Sequence, residues 1–453
     1  MRFVRLTLLA VVVLGIVGFG AGWYLAGREA GPSITIKSPD KFIGQKSSLE
    51  VVAESSTSVT TVSATLEQKG QSFIVASFGI EATAQNQVNL SGAIGKSAQP
   101  ALTNGPATLV VTASRQVFFG LRTVQSSETR ELQVRLDPPR VAVASIHHFI
   151  NLGGAEFVVL RATPADVDAG IRVGDTEYRA YPGSAVGLTE PALRVAFFAL
   201  KHDQDLNVRM TAFARDAAGN EVTTPLEHQP TNKKFLNSRI PIDQRFLDRV
   251  VPAIASNTPD LKIDTSSPEG LLKGFLTING GLRKKNGDTI TALAAKSQPK
   301  MLWTEAFAQM GNSQVESRFA DRRTYFFEDK EIDKQVHLGF DLASVQQAPV
   351  QASNAGIIVF ADVLGIYGNC VIVDHGIGVQ SLYAHMSAIA VKVGQPVTKG
   401  QELGRTGATG LAGGDHLHFT VLLQGVPVNP VEWWDQHWMD DRVLRKISDA
   451  GGR

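Results

Sequence analysis

The chain has 453 residues with a formal net charge of +1, 43% of them hydrophobic and 19% charged. That length predicts about three domains of roughly 100–200 residues, and the apolar fraction excludes a disordered chain. A charge so close to zero gives no electrostatic footprint for nucleic acid, which is not expected as a partner.

Arg2 and Arg5 precede an uncharged run from Leu6 to Ala26. A run of that length can cross a hydrocarbon core of about 30 Å. The positive-inside rule then leaves residues 1–5 in the cytoplasm and the bulk of the chain outside, in the periplasm or extracellular space. The competing reading is a cleaved signal peptide, whose apolar core is only ~7–15 residues and is followed by small residues before the cut. Here Trp23-Tyr24-Leu25 stand in that place, which favours a single-pass signal anchor over 6–26 in the cytoplasmic membrane. The only cysteine, Cys370, lies in an apolar run and reads as a buried, inert thiol.

From 33 to 137 the sequence reads as short strands between turn clusters, with Ile34–Ile36, Ser48–Val52 and Ala107–Thr112 as examples. Regular spacing of this kind predicts an antiparallel sandwich. Pro138-Pro139 cannot join a ladder and marks a boundary. A second β segment, 138–228, contains the strand candidates Phe157–Leu160 and Leu206–Phe213. The two segments are expected to be immunoglobulin-like modules. His147 and His148 are adjacent, so on a strand they face opposite ways and do not make one site.

Residues 229–319 are expected to be a helical linker. Helices are predicted over Ile242–Phe246 and Arg249–Ile254, over a segment opened by Ser267-Pro268, and over Asp288–Lys296. Ser267 is a good N-cap and proline is favoured at the first helical position. After Arg322-Arg323 the pattern turns all-β, with glycine-rich turns, to a tryptophan-rich end at Trp433, Trp434 and Trp438. These aromatics are expected to close a core. Residues 439–453 form a C-terminal tail.

Six of the ten histidines fall at or after residue 337. In His416-Leu417-His418-Phe419 two imidazoles share one face of an expected strand, and the other face is apolar. In His337-Leu338-Gly339-Phe340-Asp341 the histidine and the carboxylate lie four apart, on one face of either a strand or a helix. A further histidine, His385, follows Tyr383-Ala384. Two histidines and one carboxylate make a three-ligand set that leaves a coordination position open, as in catalytic zinc sites.

In this order the three motifs resemble the M23 family of zinc metallopeptidases, the LytM or lysostaphin type. The resemblance covers residues 320–438 and implies an antiparallel β catalytic domain there, completing a mainly β chain. It also implies that His337, Asp341 and His418 hold Zn2+ and that His385 and His416 are the catalytic pair. The implied activity is metal-dependent endopeptidase cleavage of bacterial peptidoglycan peptides by activated water. Two departures are visible: Asp415 stands where the family often has Pro, and Thr420 where it often has Glu.

No His-Glu-x-x-His segment is present to supply a glutamate base, so a histidine has to handle the proton. Asp374 is a candidate acceptor for a ligand imidazole, and structural roles are expected for His375 and His437. Two alternatives remain open. An iron(II) oxygenase uses the same ligand types, and metal analysis separates it. A catalytically silent scaffold that activates or recruits other wall hydrolases is the second. The β modules are expected to set reach from the membrane or to bind envelope proteins.

Overall fold

The structure, a computed structural model, describes residues 2–79 and 85–451. Met1 and 452–453, at the ends of the expected cytoplasmic segment and C-terminal tail, lie outside the described residues. The chain divides into two compact units. One comprises Met1–Pro139 with Arg215–Val222, and the other Arg140–Ala214 with Thr223–Arg453.

The first unit begins with helix α1 (Arg2–Ala26). Its segment Phe3–Ala26 is long and apolar enough to cross a membrane. A seven-stranded sheet follows, built on strand β1 (Ser47–Gln68). Near its start β1 pairs with Ser33–Ser38 and Gln85–Ile94, and near its end with Gln71–Phe78 and Gly105–Val117. Register shifts between Glu54 and Val59 and between Val59 and Thr61 separate the two halves. Alternate residues Leu49, Val51 and Ala53, then Val62, Ala64 and Leu66, enter one core with Leu109 and Val111. The expectation of uniformly short strands fails here. The Ser/Thr-rich run after Glu54 reads as a turn cluster by its serines, but its Thr and Val residues are β-branched and continue the strand.

In the second unit, strands β2 (Ala155–Thr163) and β3 (Leu193–Ala199) form the middle of a four-stranded sheet. Every residue of β3 is buried. The Phe197 ring lies 4.9 Å from its cross-strand neighbour Phe157 and 5.2 Å from Trp433, and with both faces of β3 buried no polar alternation survives. A second four-stranded sheet holds Asp168–Val173 and Met210–Arg215 at its centre. The tryptophan-rich end closes a core, as expected: Trp433 is fully buried against Trp303, Phe307 and Phe197.

Segment 229–319 opens with two short strands, Gln229–Thr231 and Asn237–Ile242, so Ile242 is not helical as expected. The two predicted neighbouring helices are one, α2 (Gln244–Ser256), which carries Pro252 inside it. Asp243 caps it by accepting the Phe246 N–H at 2.8 Å. Helix α3 (Pro268–Thr277) begins as read, with Ser267 accepting from Gly270 N and Pro268 at the first position. A π turn, Ile278–Leu282, carries α3 directly into α4 (Arg283–Ala294), which therefore starts earlier than expected.

The region that carries the histidine motifs is built from a hairpin, β4 (Asp321–Phe327) and β5 (Lys330–His337), and an eight-stranded sheet. In that sheet β6 (Phe340–Ala343), β7 (Asn369–Gly376), β8 (Val379–Met386) and β9 (Leu417–Leu423) run side by side in the order β6-β9-β8-β7. Residues beyond 439 are helical to Asp449, and Lys446 Nζ donates to Glu156 Oε1 at 2.7 Å and to the Phe157 carbonyl at 2.8 Å.

Candidate metal centre

Strand pairing brings the motif residues together. Antiparallel register places Asp341 of β6 opposite His418 of β9, and His418 opposite Ala384 of β8, next to His385. His337 closes the hairpin as the last residue of β5, paired with Asp321. The stretch from His337 to Asp341 is therefore not one strand; it breaks at Leu338-Gly339. Gly339 is required at that break. A Cβ there would lie 2.6 Å from His418 Nε2 and from Thr420 Oγ1, inside van der Waals contact.

His337 Nε2 is 2.9 Å from Asp341 Oδ1 and 3.0 Å from His418 Nδ1, and His418 Nδ1 is 3.0 Å from Asp341 Oδ1. The partners on the outer side assign the protons. His337 Nδ1 lies 3.1 Å from the Arg318 carbonyl, which can only accept, so Nδ1 carries the hydrogen and Nε2 the lone pair. Thr420 Oγ1 donates to the Leu338 carbonyl at 3.0 Å and so accepts from His418 Nε2–H at 3.1 Å, leaving the lone pair on Nδ1. Two lone pairs and a carboxylate oxygen thus converge on one point, an arrangement that repels itself unless a cation sits among them. Tetrahedral zinc with bonds of about 2.0–2.1 Å needs ligand atoms about 3.3 Å apart, close to the spacing found. The donor set fits zinc.

The second oxygen of Asp341 is taken. Arg323 Nη2 donates to Oδ2 at 2.9 Å and to Ser317 Oγ at 2.8 Å. The carboxylate consequently turns a single oxygen toward the imidazoles. Burial alone would raise the Asp341 pKa. When protons on the imidazoles take the place of the cation, the charge and hydrogen bond of His337, with the bonds from His416 and His418, outweigh burial and hold the carboxyl well below its usual range. Burial also lowers His418 to about 4, which keeps it a neutral ligand.

His385 and His416 stand beside the three ligand residues with ring centroids 4.9 Å apart. His385 Nδ1–H donates to the Thr409 carbonyl at 2.8 Å and His416 Nδ1–H to the Gly414 carbonyl at 2.9 Å, so each turns Nε2 inward. His385 is held at φ +64, a strained backbone for a non-glycine residue. Burial, then the neighbouring His416 and His418, pushes its pKa well down. For His416, burial alone would also lower the value; the hydrogen bond and charge of Asp341 outweigh it and the net shift is upward. All five side chains belong to buried residues, none more than 9% exposed.

One expected partner is elsewhere. Asp374 accepts from Ser297 Oγ at 2.6 Å and from Gln298 N at 2.7 Å and, among the described residues, bonds no imidazole; it ties the segment after α4 to β7. His375 bonds the Ala355 carbonyl and Ser381 Oγ, and His437 is exposed beside Asp441. His148 bonds Ser145 Oγ and the Glu227 carbonyl, away from the site. Sequence reasoning missed Arg323, whose role depends on the β4–β5 pairing, and the part Thr420 plays where the family often has Glu.

Residues 335–430 match the family model described as peptidase family M23. That segment is an M23 domain. The chain is 44% identical over 97 residues to the DD-carboxypeptidase/endopeptidase Mpg of Neisseria meningitidis serogroup B, covering 21% of this chain and 22% of that protein. It is 31% identical over 163 residues to the peptidoglycan DD-endopeptidase ShyA of Vibrio cholerae, covering 36% of this chain and 34% of that one. The chain thus spans about a fifth to a third of the length of these curated relatives. The solved catalytic domain of the antimicrobial peptidase lysostaphin from Staphylococcus simulans aligns with 27% identity and a TM-score of 0.24. That alignment covers 27% of this chain and 92% of the other.

Proposed function

We propose that the chain is a zinc-dependent endopeptidase that hydrolyses peptide bonds of bacterial peptidoglycan. The observation that carries this reading is the convergence of His337, Asp341 and His418 on one point, with two further imidazoles alongside. Zinc held by these three residues supplies a Lewis acid and lowers the pKa of water to about 7. The rest is done by the chain. His385 Nε2, its lone pair free because Nδ1–H is spent on Thr409, takes the proton of the attacking water and later delivers it to the leaving amine. His416, whose pKa Asp341 raises, donates from Nε2 to the oxyanion that develops on the scissile carbonyl. Arg323 and Thr420 hold the ligand side chains in place.

In this reading residues 6–26 anchor the chain in the cytoplasmic membrane, with the M23 domain, 320–438, outside it. Residues 33–137 and 138–228 act as immunoglobulin-like modules that set reach or recruit envelope partners, and 229–319 links them to the catalytic domain. The test is mass spectrometry of purified muropeptides incubated with the chain, with and without a chelator. Cleavage of a peptide bond that the chelator stops and zinc restores is expected. Intact muropeptides in every arm would leave the silent scaffold as the better account.

A further inference from the structure

Beside the metal centre, on the far side of Arg323, lies a cavity of about 580 Å³ lined by Arg245, Arg249 and Arg323, with Phe246, Tyr325 and Leu411 among its walls. Its one acidic wall residue, Asp243, is committed to capping α2. We propose that this cavity is a subsite for a carboxylate of the peptide substrate, an inference that rests on the peptidase reading and names the chemistry of a group next to the bond that is cut.

Four observations carry it. First, Arg245 and Arg249 are four apart on α2 and so share a face, where like charges repel. The intervening Asp248 accepts from Gln244 through Oδ1. Among the described residues Arg245 has no hydrogen-bond or ion-pair partner. Second, Arg249 is braced for a fixed position: its Nη2 donates to the carbonyls of Ala412 and Gly413 at 3.0 and 3.2 Å. Third, Arg323 is fixed in the cavity wall: Nη2 donates to Asp341 and Ser317, and Nε lies 3.6 Å from Asp321 Oδ2. Fourth, the cavity touches the reacting centre from two sides. Arg323 bonds the ligand Asp341, and Gly413 precedes Gly414, whose carbonyl orients His416. In this proposal a peptide lying across the metal puts a neighbouring residue at the mouth of this arginine-lined, partly apolar cavity. Carboxylate is the group that matches guanidinium donors in geometry and charge.

The test uses the full zinc-loaded chain carrying His385→Ala, so that substrate is bound and not cut. A purified muropeptide is titrated calorimetrically as its free acid and as its carboxamide. The free acid is expected to bind about tenfold or more tighter, the scale of one charge-assisted hydrogen bond. Adding Arg245→Gln should reduce that ratio to about threefold or less, and Arg245→Lys should keep part of it. Arg249 is not the residue to change, because it also holds the loop before His416. Equal binding of the two forms overturns the proposal, as does a ratio that Arg245→Gln leaves unchanged or a failure of both forms to bind. Cleavage by the unmodified chain is scored separately. Cleavage without carboxylate preference sinks the subsite alone, and carboxylate preference without cleavage sinks the peptidase reading alone.

Discussion

Asp341 and Glu432 are each 8% exposed, and burial drives the pKa of both carboxyls upward. Asp341 nevertheless ends well below its usual range and Glu432 rises to about 7. The difference is the company each keeps. Asp341 faces three imidazoles and a guanidinium. Glu432 accepts only neutral donors, Asn151 Nδ2 at 2.7 Å and Ala155 N at 2.8 Å, and the charge of Glu156 raises it further. One cluster is poised to take a cation; the other joins the end of the M23 domain to the start of β2. Burial alone does not mark a functional carboxylate. Converging lone pairs do.

The contrast breaks most sharply at the ligands. His337→Ala should reduce muropeptide hydrolysis by more than the roughly 100-fold that loss of an outer partner costs, with circular dichroism unchanged. His385→Ala should lower kcat by about 10²–10⁴-fold while bound zinc stays at the unmodified level, which separates proton transfer from metal binding. A fall in zinc content in that variant would mean that His385 is a ligand.

The Glu432 side of the comparison is read by stability. Its pKa rises from 4.5 unfolded to about 7 folded. Between those values the folded chain holds a proton that the unfolded chain has released, so stability falls as pH rises through the window and levels off above it. The full effect is on the order of 3 kcal/mol. Urea titrations from pH 4 to 8 should show the unmodified chain losing stability relative to Glu432→Gln as pH rises, because histidines such as His418, lowered to about 4, contribute equally to both chains. An unchanged slope would place the titrating group elsewhere. The smallest expected effect is at Arg323. Arg323→Gln frees Asp341 Oδ2 and should weaken zinc binding about 10–100-fold, measured by competition with a chromogenic chelator.

Much of the metal centre was legible in the sequence because ligand chemistry restricts residue type. Histidine and aspartate declare the site by residue type, although His337 and Asp341 meet across the break at Leu338-Gly339 and not on one strand. The supporting shell was not, because serine, threonine and arginine have many uses. Arg323 becomes a partner of Asp341 only through the hairpin that brings Asp321 opposite His337. Asp374 misled for a related reason: it sits next to a histidine in sequence, yet the carboxylate binds the segment after α4. In the first unit, the long β1 strand was cut short by reading serine as a turn former where threonine and valine prevail. In the helical segment, the break expected between Phe246 and Arg249 is absent, and α2 runs through both stretches with Pro252 inside it.

The most direct measurement is zinc stoichiometry by elemental analysis of the full chain and of His418→Ala, purified side by side. The account predicts one tightly held ion per unmodified chain and its loss in the variant. Equal zinc in both, or none in the unmodified chain after incubation with the metal, would contradict it.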